Sequence, residues 1–284
     1  LSAPDVRDAV ARIRDLPTLP SVLSKILATA ADPDASALDL GKHIAADQSL
    51  SATLLRLVNS AYYGFYRQIK SVTQAIVVLG FLEVRNLTLT ATAFRTLDQS
   101  NSDYDRLQLW RHSLATAMAA ERCSKWLKLD AEGSFEAGLL HDIGKVVLDL
   151  LYPDKFRDAA HKAHEEERYI ADVERELWNV DHAEIGGILG EHWNLPPGVV
   201  AAIRYHHVPE QCKEEPILTY LTAIGNYVSY QVGLGEWSNG RAPEYPAFAA
   251  EKLKLSQEQC TEIGEEIKRN IPKIDELLGA LRKK

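Results

Sequence analysis

The stretch DQSLSATLLRLVNSAYYG, residues 47–64, sets Leu50, Leu54, Leu57 and Val58 at i, i+4, i+7 and i+8, the spacing of a single helix face. Asp47 stands where a carboxylate caps a first turn, and Gly64 follows the end. The same reading extends outward along the chain. SVTQAIVVLGFLEVRNLTL, residues 71–89, opens with Ser71 and Gln74 in capping-box spacing and carries Ala75, Val78, Leu79 and Leu82 on one face. Asp181 and Glu184 open DHAEIGGILGEHWNLP (181–196) with the same spacing, and Pro196 marks its stop. PPGVVAAIRYHH (196–207) then begins a helix with proline in its first turn. Ser256 and Gln259 cap EQCTEIGEEIKRNI (258–271), whose mixed charges predict a solvated outer face. No alternating apolar pattern with hairpin signals occurs, and no internal repeat, so the predicted fold is all-α.

Composition bounds what such a fold can do. A chain of 284 residues with 46% hydrophobic content can bury one large core or two small ones. The polar cluster DQSNSDYD (98–105) and the loop GLGEWSNGRAPEYP (233–246) mark soft boundaries. They divide the chain into an N-terminal helical subdomain (1–100), a middle segment (101–235) and C-terminal helices (236–284), expected to pack as one body. Thirty-two basic against forty acidic residues give a formal charge of −8, which disfavours generic nucleic-acid binding. The apolar run Ala75–Leu82 is among the longest without a charge and is too short to cross a bilayer, so no membrane partner is expected. Cys123, Cys212 and Cys260 lie far apart with no CxxC pair, a pattern that fits a reducing cytoplasm and argues against a cysteine zinc site. No signal peptide pattern is present, and the first residue is leucine, so the expectation is a cytoplasmic protein that is cut or part of a longer one.

The chemistry-bearing residues gather in the middle third. AGLLHDIGKVVLDLL, residues 137–151, sets His141 and Asp142 side by side inside an apolar run, where an unpaired charge is costly. The escapes are a partner, a pKa shift or a metal ion. Eight of the nine histidines lie between residues 112 and 207. His112 flanks the helix in LWRHSLATAMAA, His182 opens a capped helix, and His206 and His207 close the helix that starts at Pro196. Adjacent residues on a helix point about 100° apart, so an adjacent pair shares one ion only off the helix axis, or serves two. Gly138 and Gly144 loosen the backbone enough for either arrangement. Neutral imidazoles with a carboxylate suit iron, manganese or zinc. His43, His161, His164 and His192 fall outside any such pattern and are expected to be ordinary structural histidines.

Three segments together carry a family resemblance: LPTLPSVLSKILATAADPDAS (16–36), IAADQSLSATLLRLVNSAYYGF (44–65) and SVTQAIVVLGFLEVRNL (71–87). They resemble the N-terminal half of the HDOD family, bacterial signalling domains related to HD-type phosphohydrolases, over roughly residues 16–230. The resemblance implies an all-helical body with an HD-like core and a regulatory role. Most such domains lose the HD ligands, whereas HDIGK (141–145) is intact here. Matched to the related HD-GYP phosphodiesterases, the metal positions look like His112, His141, Asp142, His182, His206 and His207, with Asn226 at a final Asp position. Asp142 and Lys145 would be the catalytic residues, Lys145 meeting a substrate phosphate, though an exposed helix lysine is its plainer reading.

Two departures weigh against turnover. HHVPEQCKEE (206–215) lacks the Gly-Tyr-Pro loop, and Asp142 alone supplies negative charge against two divalent ions. A dinuclear centre would need hydroxide, phosphate or another carboxylate, such as Asp149 or Asp181, within reach, while Gln108 could add only a neutral oxygen. The expected function is a signalling domain that keeps a metal site for one or two divalent ions, iron or manganese foremost, and passes a conformational change to a signalling protein partner. A phosphate-containing ligand is compatible with it. The alternative is a metal-dependent phosphohydrolase or phosphodiesterase acting on a nucleotide or cyclic dinucleotide. Arg56, Arg67, Lys70 and Arg85 form a basic face in this reading, and Tyr62, Tyr63, Phe65 and Tyr66 a subdomain core.

Overall fold

A computed structural model of the chain describes residues 25, 37–60, 63–97, 105–129, 131–236 and 238–282. Most of the segment 16–36, the loop 98–104 and Tyr62 lie outside the described residues. Among the described residues every regular element is helical, as the sequence periodicity predicts. Two compact units result, one holding residues 37–97 and 270–282, the other residues 105–269.

The first unit contains α1 (Ala37–Ala45), α2 (Gln48–Val58), α3 (Val72–Leu79) and α4 (Phe81–Leu97). Asp47 caps α2 by accepting from the Leu50 amide at 2.9 Å. Leu50, Leu54, Leu57 and Val58 are all buried, each contributing about 1.5–3 kcal/mol by leaving water. The single helix read over 71–89 is in fact two. Gly80, at φ 88°, ends α3, and the chain restarts as α4 on a new axis. The predicted apolar face breaks with it: Ala75 is buried, whereas Val78 and Leu82 are exposed.

The aromatic cluster is also placed differently from expectation. Asn59 brackets Ile69, donating to its carbonyl and accepting from its amide, which buries Ile69 and leaves Phe65 and Tyr66 turned outward. Tyr66 is then fully exposed and Phe65 partly so, stacked on Tyr63. The expected basic face loses a member too, because Arg85 is buried on α4 beside Asn86.

The second unit contains α5 (Arg106–Leu127), α6 (Ser134–Leu140), α7 (Ile143–Leu151), α8 (Pro153–Glu165), α9 (Ile170–Trp178), α10 (His182–His192), α11 (Pro197–Tyr205), α12 (Pro216–Gln231) and α13 (Ala247–Leu253). A last helix, α14 (Gln257–Arg282), gives its residues 257–269 to this unit. Local chemistry sets the boundaries. Asp181 accepts from the Glu184 amide at 2.8 Å to start α10, and Pro197 occupies the first turn of α11. Ser256 and Gln259 close a reciprocal capping box on α14. Helix α5 runs through the middle of the unit, packed by α6 and α12, while α10 packs on α7 and α11.

Close backbone approach decides the geometry near the HDIGK motif. A Cβ built on Gly144 would lie 1.8 Å from the His182 carbonyl oxygen, and one on Gly138 would lie 2.6 Å from Ala117 Cα. These glycines therefore serve to seat α7 against α10 and α6 against α5, rather than to loosen the backbone. Gly144→Ala should consequently destabilise the protein by roughly 1–3 kcal/mol or more, read from the midpoint of chemical unfolding. An unchanged midpoint would contradict this contact.

Candidate metal centre

Asp142 sits in the break between α6 and α7, at φ −98° and ψ 15°, and makes no side-chain cap to the helix that it precedes. Its carboxylate is thereby left to the cluster around it. His141 ends α6, His112 projects from α5, His182 is the first residue of α10, and His206 and His207 follow the last turn of α11. Folding brings all six together. His182 Nε2 lies 3.2 Å and His206 Nε2 3.5 Å from Asp142 Oδ1. On the other side, His141 Nε2 lies 3.4 Å and His112 Nε2 3.8 Å from Oδ2. Two candidate ligand sets therefore share one carboxylate: His182, His206 and His207 with Asp142, and His112 and His141 with Asp142.

The imidazoles are oriented by what their Nδ1 atoms meet. Nδ1 of His112 donates to the Leu234 carbonyl at 2.9 Å, of His141 to Gly138 at 2.8 Å, and of His206 to Ile203 at 2.8 Å. A carbonyl only accepts, so each of these rings carries its proton on Nδ1 and points an Nε2 lone pair inward. His182 is held at Nδ1 by Glu174 Oε2 at 2.7 Å, a carboxylate that also accepts from the His182 amide. Such outer partners are the usual means of fixing a metal-binding imidazole.

The donor set fits a metal ion. The Nε2 atoms of His112 and His141 stand 3.2 Å apart with both lone pairs facing, and those of His182 and His207 stand 3.0 Å apart, a spacing that a proton on charged His182 also spans. Facing lone pairs repel unless a proton or cation lies between them. Two nitrogens each about 2.0–2.1 Å from one tetrahedral ion are separated by about 3.3 Å, close to both spacings. His206 Nε2 and Asn226 Oδ1 are buried without a hydrogen-bond partner. Imidazoles and carboxylate of this kind suit iron, manganese or zinc.

Charge in the centre is arranged by residues that the sequence reading missed. Asp149 is taken by Arg106, whose Nε donates to it at 2.8 Å, and Asp181 by Arg175, so neither reaches the cluster. Gln108 is exposed on α5. The additional carboxylates are Glu174, behind His182, and Glu236, both buried. Lys145 is fully buried and not an exposed helix lysine; its Nζ donates to Asp142 Oδ2 at 2.8 Å and to Glu236 Oε2 at 3.1 Å. Glu174 had a faint signal, a charged residue in register with the buried Ile170 and Trp178 of α9. Glu236 lies in an aperiodic loop, where nothing in the pattern marks it.

Burial works against ionising Asp142, but its neighbours His141 and Lys145 and the hydrogen bond from His182 outweigh it and hold its carboxyl well below the usual range. Burial also opposes charge on His182, yet Glu174 and the hydrogen bond to Asp142 prevail and lift it to about 9. Burial depresses His112, His141 and His207. His43, His161, His164 and His192 lie away from these two sets, the last three exposed. A cavity of about 420 Å³ adjoins the set of His182, His206 and His207, lined by His206, His207 and Asn226 together with Tyr169, Arg175 and Tyr245.

Comparison with known proteins supplies the context. The HDOD domain profile matches residues 16–209. A protein of Treponema pallidum (strain Nichols), itself uncharacterized, is 33% identical over 218 residues, 76% of this chain and 42% of that protein. The chain thus spans less than half the length of that relative. A candidate signal transduction protein of Marinobacter aquaeolei VT8 superposes with a TM-score of 0.86 at 23% identity, covering 98% of this chain and 65% of that one. A candidate phosphohydrolase of Shewanella amazonensis SB2B gives a TM-score of 0.76 at 20% identity, covering 96% and 97%. Both structural likenesses establish the helical fold. Among the described residues no helix is long and apolar enough to cross a membrane.

The His182 proton has a measurable consequence in chelator-treated protein. Its folded pKa of about 9 lies above the ordinary value of 6.5, so its stabilisation is complete below 6.5 and is lost as pH rises through about 9. Melting temperature should fall across that window. In Glu174→Gln, which removes the largest favourable contribution to the shift, this fall should flatten; an unaltered slope would show that His182 is not held by Glu174.

Proposed function

The chain belongs to the HDOD domain family, and on that premise we propose that it is a signalling domain that has kept a metal-binding HD-type site and uses it for regulation. The observation that carries this reading is Asp142, each of whose oxygens faces a different group of imidazole Nε2 atoms. Binding of one or two divalent ions, iron or manganese foremost, would tie together α5, α6, α10 and α11, on which those groups sit. Metal state would then set the rigidity of the unit and so what it presents to a signalling protein partner. A cytoplasmic location accords with the three free cysteines.

Catalysis is weak or absent in this proposal. Lys145, the residue that the resemblance assigns to a substrate phosphate, is engaged by Asp142 and Glu236 and would have to leave both. The missing Gly-Tyr-Pro loop points the same way. One observation favours the second reading, a metal-dependent phosphohydrolase acting on a nucleotide or cyclic dinucleotide: the cavity beside His206, His207 and Asn226 gives a phosphate-containing ligand a place next to the ligand set. A bound ion would supply an activated water there. In that case Asp142 would hold the ions together, and Lys145 would turn toward the phosphate.

Elemental analysis of protein purified without chelator tests the site, and turnover tests the choice between readings. We expect bound iron or manganese that falls to background in Asp142→Ala. We also expect no Asp142-dependent hydrolysis of nucleotides, cyclic dinucleotides or a generic phosphodiester. Metal-free protein that takes up none on titration would overturn the proposal; hydrolysis abolished by Asp142→Ala would replace it with the second reading.

A further inference from the structure

The two halves of the centre differ in what surrounds them. The half built on Asp142 Oδ1 borders the cavity through His206 and His207. The half built on Oδ2 is closed, with His112, His141 and Lys145 all fully buried. It also already contains a cation, since the Lys145 ammonium contacts Oδ2, the same oxygen that faces His141 and His112. A second positive charge so near, among fully buried side chains, is strongly unfavourable unless an anion offsets it. Asp142 cannot serve alone, being shared with the other half.

Glu236 is placed to provide that offset. Its carboxylate is buried, accepts from Lys145, and is held in turn by the Ser238 amide at 3.2 Å and by the Ser238 hydroxyl. Two residues earlier in the same loop, the Leu234 carbonyl accepts from His112 Nδ1. One short loop therefore both orients a ligand of the closed half and delivers a carboxylate to the lysine beside it.

We infer that Glu236 is the positioning residue for the closed half: it neutralises Lys145 and thereby allows a divalent ion to bind His112, His141 and Asp142. This rests on the reading of the cluster as a metal site. It makes occupancy of the closed half dependent on Leu234, Glu236 and Ser238, while the half bordering the cavity does not depend on them.

Manganese stoichiometry and affinity, measured by calorimetric titration and elemental analysis on the full chain, test the inference. Wild type should take two ions. Glu236→Gln should retain one and bind the second at least about tenfold more weakly, because the ammonium is then uncompensated. Replacing both members of the pair, as in Lys145→Met with Glu236→Gln, should restore the second ion. The double variant also carries the test if the single one does not fold. Two ions bound by Glu236→Gln with unchanged affinity, or a double variant still limited to one, would overturn the inference and leave the metal site itself standing. One ion in wild type would also overturn it, whereas none would remove the metal reading as a whole.

Discussion

A single buried carboxylate, Asp142, organises the second unit of this protein. Five imidazoles from four helices and the turns that follow them converge on it, and the Nε2 lone pairs of His112 and His141 face each other because both rings carry their protons on Nδ1. Packing alone does not account for such a cluster. Apolar side chains of similar volume would fill the same space without the cost of burying polar groups. The outer partners make the point again, since three Nδ1 atoms are spent on backbone carbonyls and a fourth on Glu174, all of which aim Nε2 at the centre.

The surrounding structure follows from the need to bring those rings together. Gly144 lets α7 meet the backbone at His182, and Gly138 lets α6 meet α5, so that His141, Asp142 and His182 arrive within ligand spacing. The buried ion pair of Arg106 and Asp149 ties α5 to α7 and removes from the centre a carboxylate that would otherwise be near it in sequence. Charge balance is then met by Glu174 and Glu236, one on each side, each behind a residue that touches Asp142.

Much of this was legible in the residue order. Apolar spacing with Asp47, Asp181 and Ser256 as caps gives the helices, and HDIGK with the outlying histidines gives the residues that folding gathers around Asp142. What escaped had a physical reason in each case. Gly80 went unmarked inside what read as one helix, because periodicity does not register a positive φ. The aromatic residues near 63–66 read as core because composition is blind to the Asn59 bracket that turns them outward. Asp149 and Asp181 looked available because helical spacing marks neither arginine partner, Arg106 lying on another helix and Arg175 across a helix boundary, and Glu236 was hidden in a loop without a period.

The claim that Asp142 is shared between two imidazole sets is tested most directly by electron paramagnetic resonance of manganese-loaded protein. A shared carboxylate predicts an exchange-coupled pair at full loading, lost in Asp142→Ala. Signals of isolated ions alone at full loading, unchanged by that substitution, would contradict it.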